Sequence, residues 1–89
     1  MIYHVAFSDR ARKDMKKLDK TTAALILGWI RKNLEGCTDP RAHGKGLTAN
    51  HSGEWRYRVG DYRLLADIQN DTLVILMVHV GHRSDVYKR

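Results

Sequence analysis

Residues 54–63 read EWRYRVGDYR, and this stretch, Glu54 to Arg63, decides the fold. Trp55, Tyr57 and Val59 alternate with Arg56 and Arg58, Gly60-Asp61 interrupts the alternation, and Tyr62 resumes it, which is the signature of two strands joined by a two-residue turn. Such a turn pairs Val59 with Tyr62 and puts Arg58 directly opposite Arg63, with Arg56 two residues away on the same face. Like charges facing each other across a sheet cost about 0.2–1 kcal/mol. A small domain that keeps such a pair needs a reason for it other than its own stability.

Downstream, Leu64, Ala66 and Ile68 continue the second strand, and Asn70-Asp71 supplies another tight turn. Leu73 to Val80 is an almost unbroken apolar run, the pattern of a central strand covered on both faces, and Gly81 closes it. Trp55, Tyr57, Val59, Tyr62, Leu64 and Ala66 share one face, assigned to the helices, and Arg56, Arg58, Arg63 and Leu65 share the other. Counting on from the Asn70-Asp71 turn pairs Arg63 with Val78 and carries Val80 and His82 to the arginine face, with Arg83 and Tyr87 close behind. The expected result is a patch of arginines, a histidine and a tyrosine at one end of a small sheet. Trp55 and Tyr57, on the opposite face, read as structural.

Upstream, Ile2 to Phe7 alternates as a first strand, with Ile2, His4 and Ala6 on one side and Tyr3, Val5 and Phe7 on the other. Ser8 reads as the N-cap of a short basic helix in which Ala11, Met15 and Leu18 recur at helical spacing while Arg10, Arg12, Lys13, Lys16 and Lys17 take the remaining surface. Asp19 or Thr21 caps a second helix, where Ala23, Ile26, Leu27, Ile30 and Leu34 give the strongest periodic signal in the chain, and Gly36 ends it. Cys37 to Gly53, with Pro40, Gly44, Gly46 and Gly53, reads as a long polar loop of the kind that is often functional. The predicted fold is α+β: an N-terminal strand, then a two-helix hairpin packed on a mainly antiparallel four-stranded sheet, in the order β-α-α-β-β-β, as one domain over residues 1–89.

The chain has 89 residues and a net charge of +6, from sixteen Lys plus Arg against ten Asp plus Glu. That balance points to a polyanionic or acidic partner, nucleic acid or an acidic protein. The single cysteine, Cys37, excludes an internal disulfide and a Cys-rich zinc site and reads as a small loop filler. His4, His43, His51 and His79 lack paired ligand spacing and read as surface or core residues, so no metal is expected. No nucleotide or metalloprotease motif occurs, and no cofactor is implied. With no secretory signal and no apolar run long enough for a bilayer, the expected location is the cytoplasm.

A basic site with a titratable histidine and a phenol, and without a metal, suits RNA. RNA carries its own nucleophile in the 2′-hydroxyl, so a protein need only take that proton, stabilise the charged phosphate and protonate the leaving oxygen. Guanidinium forks match phosphate oxygens, but arginine stays protonated and cannot act as the base.

The basic helical hairpin, the loop Gly44-Lys45-Gly46-Leu47, the strand pair SGEWRYRVGDYRLL and the ending VGHRSDVY (Val80 to Tyr87) together resemble the RelE/ParE family of bacterial type II toxins, over essentially the whole chain. The resemblance implies a ribosome-dependent, metal-independent endoribonuclease that cuts mRNA and is neutralised, within a toxin-antitoxin hetero-oligomer, by a small acidic RelB-like antitoxin. By motif position, Arg56, Arg58, Arg63 and Arg83 would bind and stabilise the scissile phosphate and Tyr87 would stack on a substrate base. Lys13, Lys16, Lys17 and Lys45 are the candidate contacts to RNA or the ribosome. The sequence departs from the RelE pattern by placing arginine at both basic positions of the first strand, where the family has lysines, one of them a candidate base. His82, beside Arg83, is then the expected acid or base. The alternative is a ParE-like toxin that poisons DNA gyrase without cutting RNA.

Overall fold

The computed structural model describes residues 2–46 and 54–81. The described elements are β1 (His4–Phe7), α1 (Asp9–Lys16), α2 (Lys20–Asn33), a 3-10 turn (Pro40–Ala42), β2 (Lys45–Gly46), β3 (Glu54–Val59), β4 (Tyr62–Ile68) and β5 (Thr72–Val80). The strands form one sheet in the order β1-β5-β4-β3-β2; β1 runs parallel to β5 and every other pair is antiparallel. The α+β architecture follows the sequence pattern, with one addition. Inside the stretch expected to be a plain loop, Lys45 and Gly46 pair with Arg56 and Trp55 and lengthen the sheet by a two-residue edge strand.

Both helices start where polar caps put them. Ser8 Oγ accepts the Ala11 amide and Asp19 Oδ2 the Thr22 amide, each satisfying a donor that the first helical turn leaves free. The helices lie on one face of the sheet, α1 against β5 and β1, α2 reaching β3. Ala11, Ile26, Ile30 and Leu34 meet Tyr57, Val59, Leu64, Ala66, Ile68, Leu73, Ile75 and Val78 in a single core. Leu27, expected in the helix stripe, is instead 38% exposed beside β1, a position that a 3.6-residue repeat rotates past the edge of a narrow sheet.

The outer edge of β1 is closed by the chain that follows α2. Glu35 accepts the Val5 amide, the Tyr3 amide donates to the Cys37 carbonyl, and the Gly36 amide donates to the Tyr3 carbonyl. Backbone groups that would otherwise invite another strand are thereby paired.

The register of β3 on β4 matches the sequence pattern, with Val59 opposite Tyr62 and Arg58 opposite Arg63. That of β4 on β5 does not. Ile68 to Ala66 pair regularly with Leu73 to Ile75, but Leu65 pairs with Met77, which leaves Leu76 as an extra residue in a β-bulge. One residue reverses the side-chain alternation above the bulge. Arg63 therefore faces His79 rather than Val78, and Val80 falls opposite Tyr62 on the helix side rather than on the arginine face. His82, expected on that face, lies outside the described residues, as do Arg83 and Tyr87. β5 also departs from the expected burial on both faces: Leu73, Ile75 and Val78 are buried, while Val74, Leu76 and Met77 are only half-buried because no layer of described residues covers the second face.

Helix α1 services the bulge. The Ser8 amide donates to the Ile75 carbonyl (2.9 Å), the Ser8 hydroxyl donates to the Leu76 carbonyl (2.8 Å), and Asp14 Oδ2 accepts the Val78 amide (3.0 Å). The Ser8 amide continues the parallel pairing of β1 with β5, and the Ser8 hydroxyl and Asp14 carboxylate supply partners to backbone groups of β5 at and beyond the bulge. Burial pulls the Asp14 carboxyl upward, but the bonds from Val78 and Arg10 outweigh it and hold it below its ordinary range.

Candidate nucleic-acid interface

The site is the sheet face that the helices leave open. Its upper row reads Arg58, Arg63, His79 across β3, β4 and β5, and the row below it reads Arg56, Leu65, Met77. Arg56, Arg58 and His79 are exposed and Arg63 is half-buried. The structure thus brings together three of the predicted site residues, Arg56, Arg58 and Arg63, and adds His79, which the sequence reading had set aside. The backbone of Lys45 pairs with Arg56 at the edge. Lys13, Lys16 and Lys17 are not part of this cluster: Lys13 and Lys16 are exposed on α1 and Lys17, its C-cap, is likewise exposed, on the side of the sheet that carries the helices.

Two glycines shape the cluster. Gly44 has φ of 75° and lies so close to β3 that a methyl group there would collide with the Arg56 carbonyl oxygen and stand 2.9 Å from the Tyr57 ring. Gly81 lies against the Arg63 side chain, where a methyl group would stand 2.5 Å from its Cγ and Nε, and its amide donates to the Asp61 carbonyl at 2.7 Å. Arg63 is held in place by the backbone that leads from β5 into residue 82. Where β2 stops, a hollow of about 360 Å³ opens along β3, lined by Gly44, Arg56, Tyr57, Arg58 and Arg63. Among the described residues its lining holds three guanidiniums and no carboxylate, a composition that suits an anion with several oxygens.

The aromatic residues serve the walls of the site. The Tyr57 hydroxyl donates to the Pro40 carbonyl (2.6 Å), the Trp55 indole donates to the His43 carbonyl, the Trp29 ring lies 5.7 Å from Tyr57, and the Arg41 guanidinium sits 5.8 Å over Trp55. Together they dock residues 40–46 against β3, which is the structural role the sequence assigned to Trp55 and Tyr57. Burial pushes the Tyr57 phenol well above its ordinary value, so it stays protonated as a donor. Burial likewise pushes the Cys37 thiol up, away from the thiolate a nucleophile needs.

Charge on the open face is graded. Glu54 pairs with Asp67 at the end opposite to the Arg58 and Arg63 row, four residues or roughly 13 Å away along the strand. An anionic chain is attracted to one end of the face and repelled from the other, which gives an approaching ligand a direction.

Residues 5–87 match the family of the ParE toxin of the type II toxin-antitoxin system parDE, and the chain belongs to this RelE/ParE family of toxins. Toxin RelG of Mycobacterium tuberculosis is 33% identical over 89 residues, 100% of each chain. Among solved structures, the toxin-antitoxin complex RelBE2 from Mycobacterium tuberculosis superposes with a TM-score of 0.78 at 33% identity, over 90% of this chain and 99% of that one. The archaeal RelE-RelB complex from Pyrococcus horikoshii gives 0.70 at 25% identity, over 93% and 99%.

Proposed function

We propose that the protein is an endoribonuclease toxin that cuts mRNA on the ribosome in the cytoplasm, by attack of the 2′-hydroxyl on the adjacent phosphate, and that a small acidic antitoxin neutralises it. The observation that carries this reading is the repulsive Arg58 and Arg63 pair, kept on an open face with Arg56 beside it. A phosphate that binds between guanidiniums removes the repulsion and gains charge-assisted hydrogen bonds, and the same groups stabilise the extra charge of the pentacoordinate phosphorus. In this reading Arg83 adds to the phosphate clamp, Tyr87 stacks on a base, His82 supplies acid or base chemistry, and Lys13, Lys16, Lys17 and Lys45 contact the RNA phosphates of the ribosome. The antitoxin partner is supported by the relatives, whose structures are toxin-antitoxin complexes. Its acidic chain would cover the basic surface and form a hetero-oligomer with the toxin.

The matched family's description, ParE toxin, favours as second reading a toxin that poisons DNA gyrase without cutting RNA. Purified protein incubated with programmed ribosomes and with naked mRNA, followed by mapping of the new 5′ ends, separates the two. Cuts at codon-fixed positions on the ribosome are expected. Intact message combined with DNA damage on expression would transfer the protein to the gyrase class.

A further inference from the structure

We infer that the proton acceptor of the site is His79, and that the β-bulge at Leu76, clasped by Ser8 and Asp14 of the α1 end, exists in this chain to put it there. This rests on the ribonuclease reading above and names the group that reading lacks among the described strand residues, since arginine occupies both basic positions of β3 and cannot accept a proton.

Three observations converge. First, His79 pairs with Arg63, which pairs with Arg58, so the imidazole stands in the same cross-strand row as two guanidiniums, with neighbouring strands about 4.8 Å apart. A phosphate held by the arginines has its ribose within reach of the third member of the row. Second, His79 Nδ1 lies 3.3 Å from the Val80 carbonyl oxygen. A carbonyl can only accept, so a hydrogen bond across this contact is donated by Nδ1–H, and the proposal assigns His79 that tautomer, with the Nε2 lone pair free to act as the base. Third, the arrangement depends on the bulge. Regular pairing from the Asn70-Asp71 turn would set His79 opposite Tyr62, on the helix side, and bring Val78 to Arg63. The extra residue moves His79 to the open face, and the backbone of β5 at and just beyond it is bonded by Ser8 and Asp14. A strand built only for packing has no use for that side-chain expenditure.

Among the described residues, the charged groups that face His79 are cationic: Arg63 on β4 and, one strand further, Arg58 on β3. Asp14, Arg10 and Lys17 belong to α1, against the opposite face of β5. Glu54 and Asp67 lie at the far end of the open face. In the step itself, Nε2 takes the 2′-hydroxyl proton as the 2′-oxygen forms its bond to phosphorus. The P–O5′ bond breaks with its electron pair on the 5′-oxygen, which takes a proton from water. The products are a 2′,3′-cyclic phosphate and a 5′-hydroxyl.

The test uses His79→Asn, which keeps a donor at the position of Nδ1 for the Val80 carbonyl but has nothing at Nε2. On programmed ribosomes its single-turnover cleavage should be at least about 100-fold slower than the parent's, the scale of a lost general base, and the acid limb of the parent's pH-rate profile should disappear. Equal rates, or an unchanged acid limb, would overturn the assignment while leaving the ribonuclease reading intact. Failure of the parent to cut any message is the separate outcome that removes both. Independently of activity, nitrogen NMR of the imidazole in the parent should show the proton on Nδ1, and a proton on Nε2 at neutral pH would also overturn the assignment.

Discussion

The two hairpins of this sheet are built from strands of similar length, yet they obey different rules. In β3-β4 the Gly60-Asp61 turn leads into an unbroken ladder, and the regularity forces two arginines to face each other. In β4-β5 the Asn70-Asp71 turn leads into a ladder that gains a residue at Leu76, and the irregularity chooses what faces those arginines next. The first hairpin is self-sufficient, since its turn and pattern fix its register. The second is tied to α1, because the Leu76 carbonyl and the Val78 amide, at and beyond the bulge, are bonded by Ser8 and Asp14. A regular ladder carries the cost of the site, while an irregular ladder aims it.

Substitutions that strike one hairpin and spare the other should separate these roles. The largest effect is expected at Gly44→Ala, on the flank of the regular hairpin: positive φ and the collision with the Arg56 carbonyl should lower stability by at least about 2 kcal/mol in urea titration, with β2 displaced from β3. Asp14→Ala strikes the bulged hairpin by leaving the Val78 amide without its partner, and should cost about 1–3 kcal/mol. Hydrogen exchange should then show faster opening in the upper half of β5 than in β3. Smallest and opposite in sign, Arg58→Gln relieves the facing pair and should stabilise the fold by about 0.2–1 kcal/mol while reducing cleavage and phosphate binding. Were Arg58→Gln to destabilise the protein, the pair would have a structural purpose and the case for a phosphate there would weaken.

The same contrast has a pH signature. The Asp14 carboxyl is held below its ordinary range when folded, so its contribution is complete above the unfolded value of about 3.9 and is lost as pH falls through the lower folded value. Acid titration followed by hydrogen exchange should loosen the bulge region first. In Asp14→Asn that part of the acid sensitivity should vanish.

How much of this could be read from the chain differs between the same two regions. The Arg58 and Arg63 pairing was legible because a Gly-Asp turn between alternating strands admits one register. The cap at Ser8, Asp19 as one of two candidate caps, the helix positions Ile26, Ile30 and Leu34, and the existence of strand β1 were legible for similar reasons: each is a local signal whose geometry is fixed by a few residues. The bulge was not, because Leu73 to Val78 is apolar on both sides and such a run keeps no record of which residue points where. One clue lay in His79 itself. Uninterrupted alternation puts that polar residue against the helices, a conflict that a single inserted residue resolves. The two-residue strand β2 was hidden by its brevity, since Lys45-Gly46 has no periodicity to detect and is held by Gly44, Trp55 and Tyr57 rather than by its own preference.

The parallel pairing of β1 with β5 also sets an order of events. His4 finds its partner in Thr72, a separation that makes this the most distant strand pairing in the sheet. Contacts of such range are entropically late, after the local hairpins have formed. During synthesis, residues 4–7 must wait until residue 75 has left the ribosome exit tunnel before the sheet can close. The bulge, and with it the row of Arg58, Arg63 and His79, is completed in that last step, when Ser8 at the end of β1 reaches Leu76. A nascent chain therefore carries the arginines of β3 and β4 through the last part of its synthesis without the geometry that would let them work.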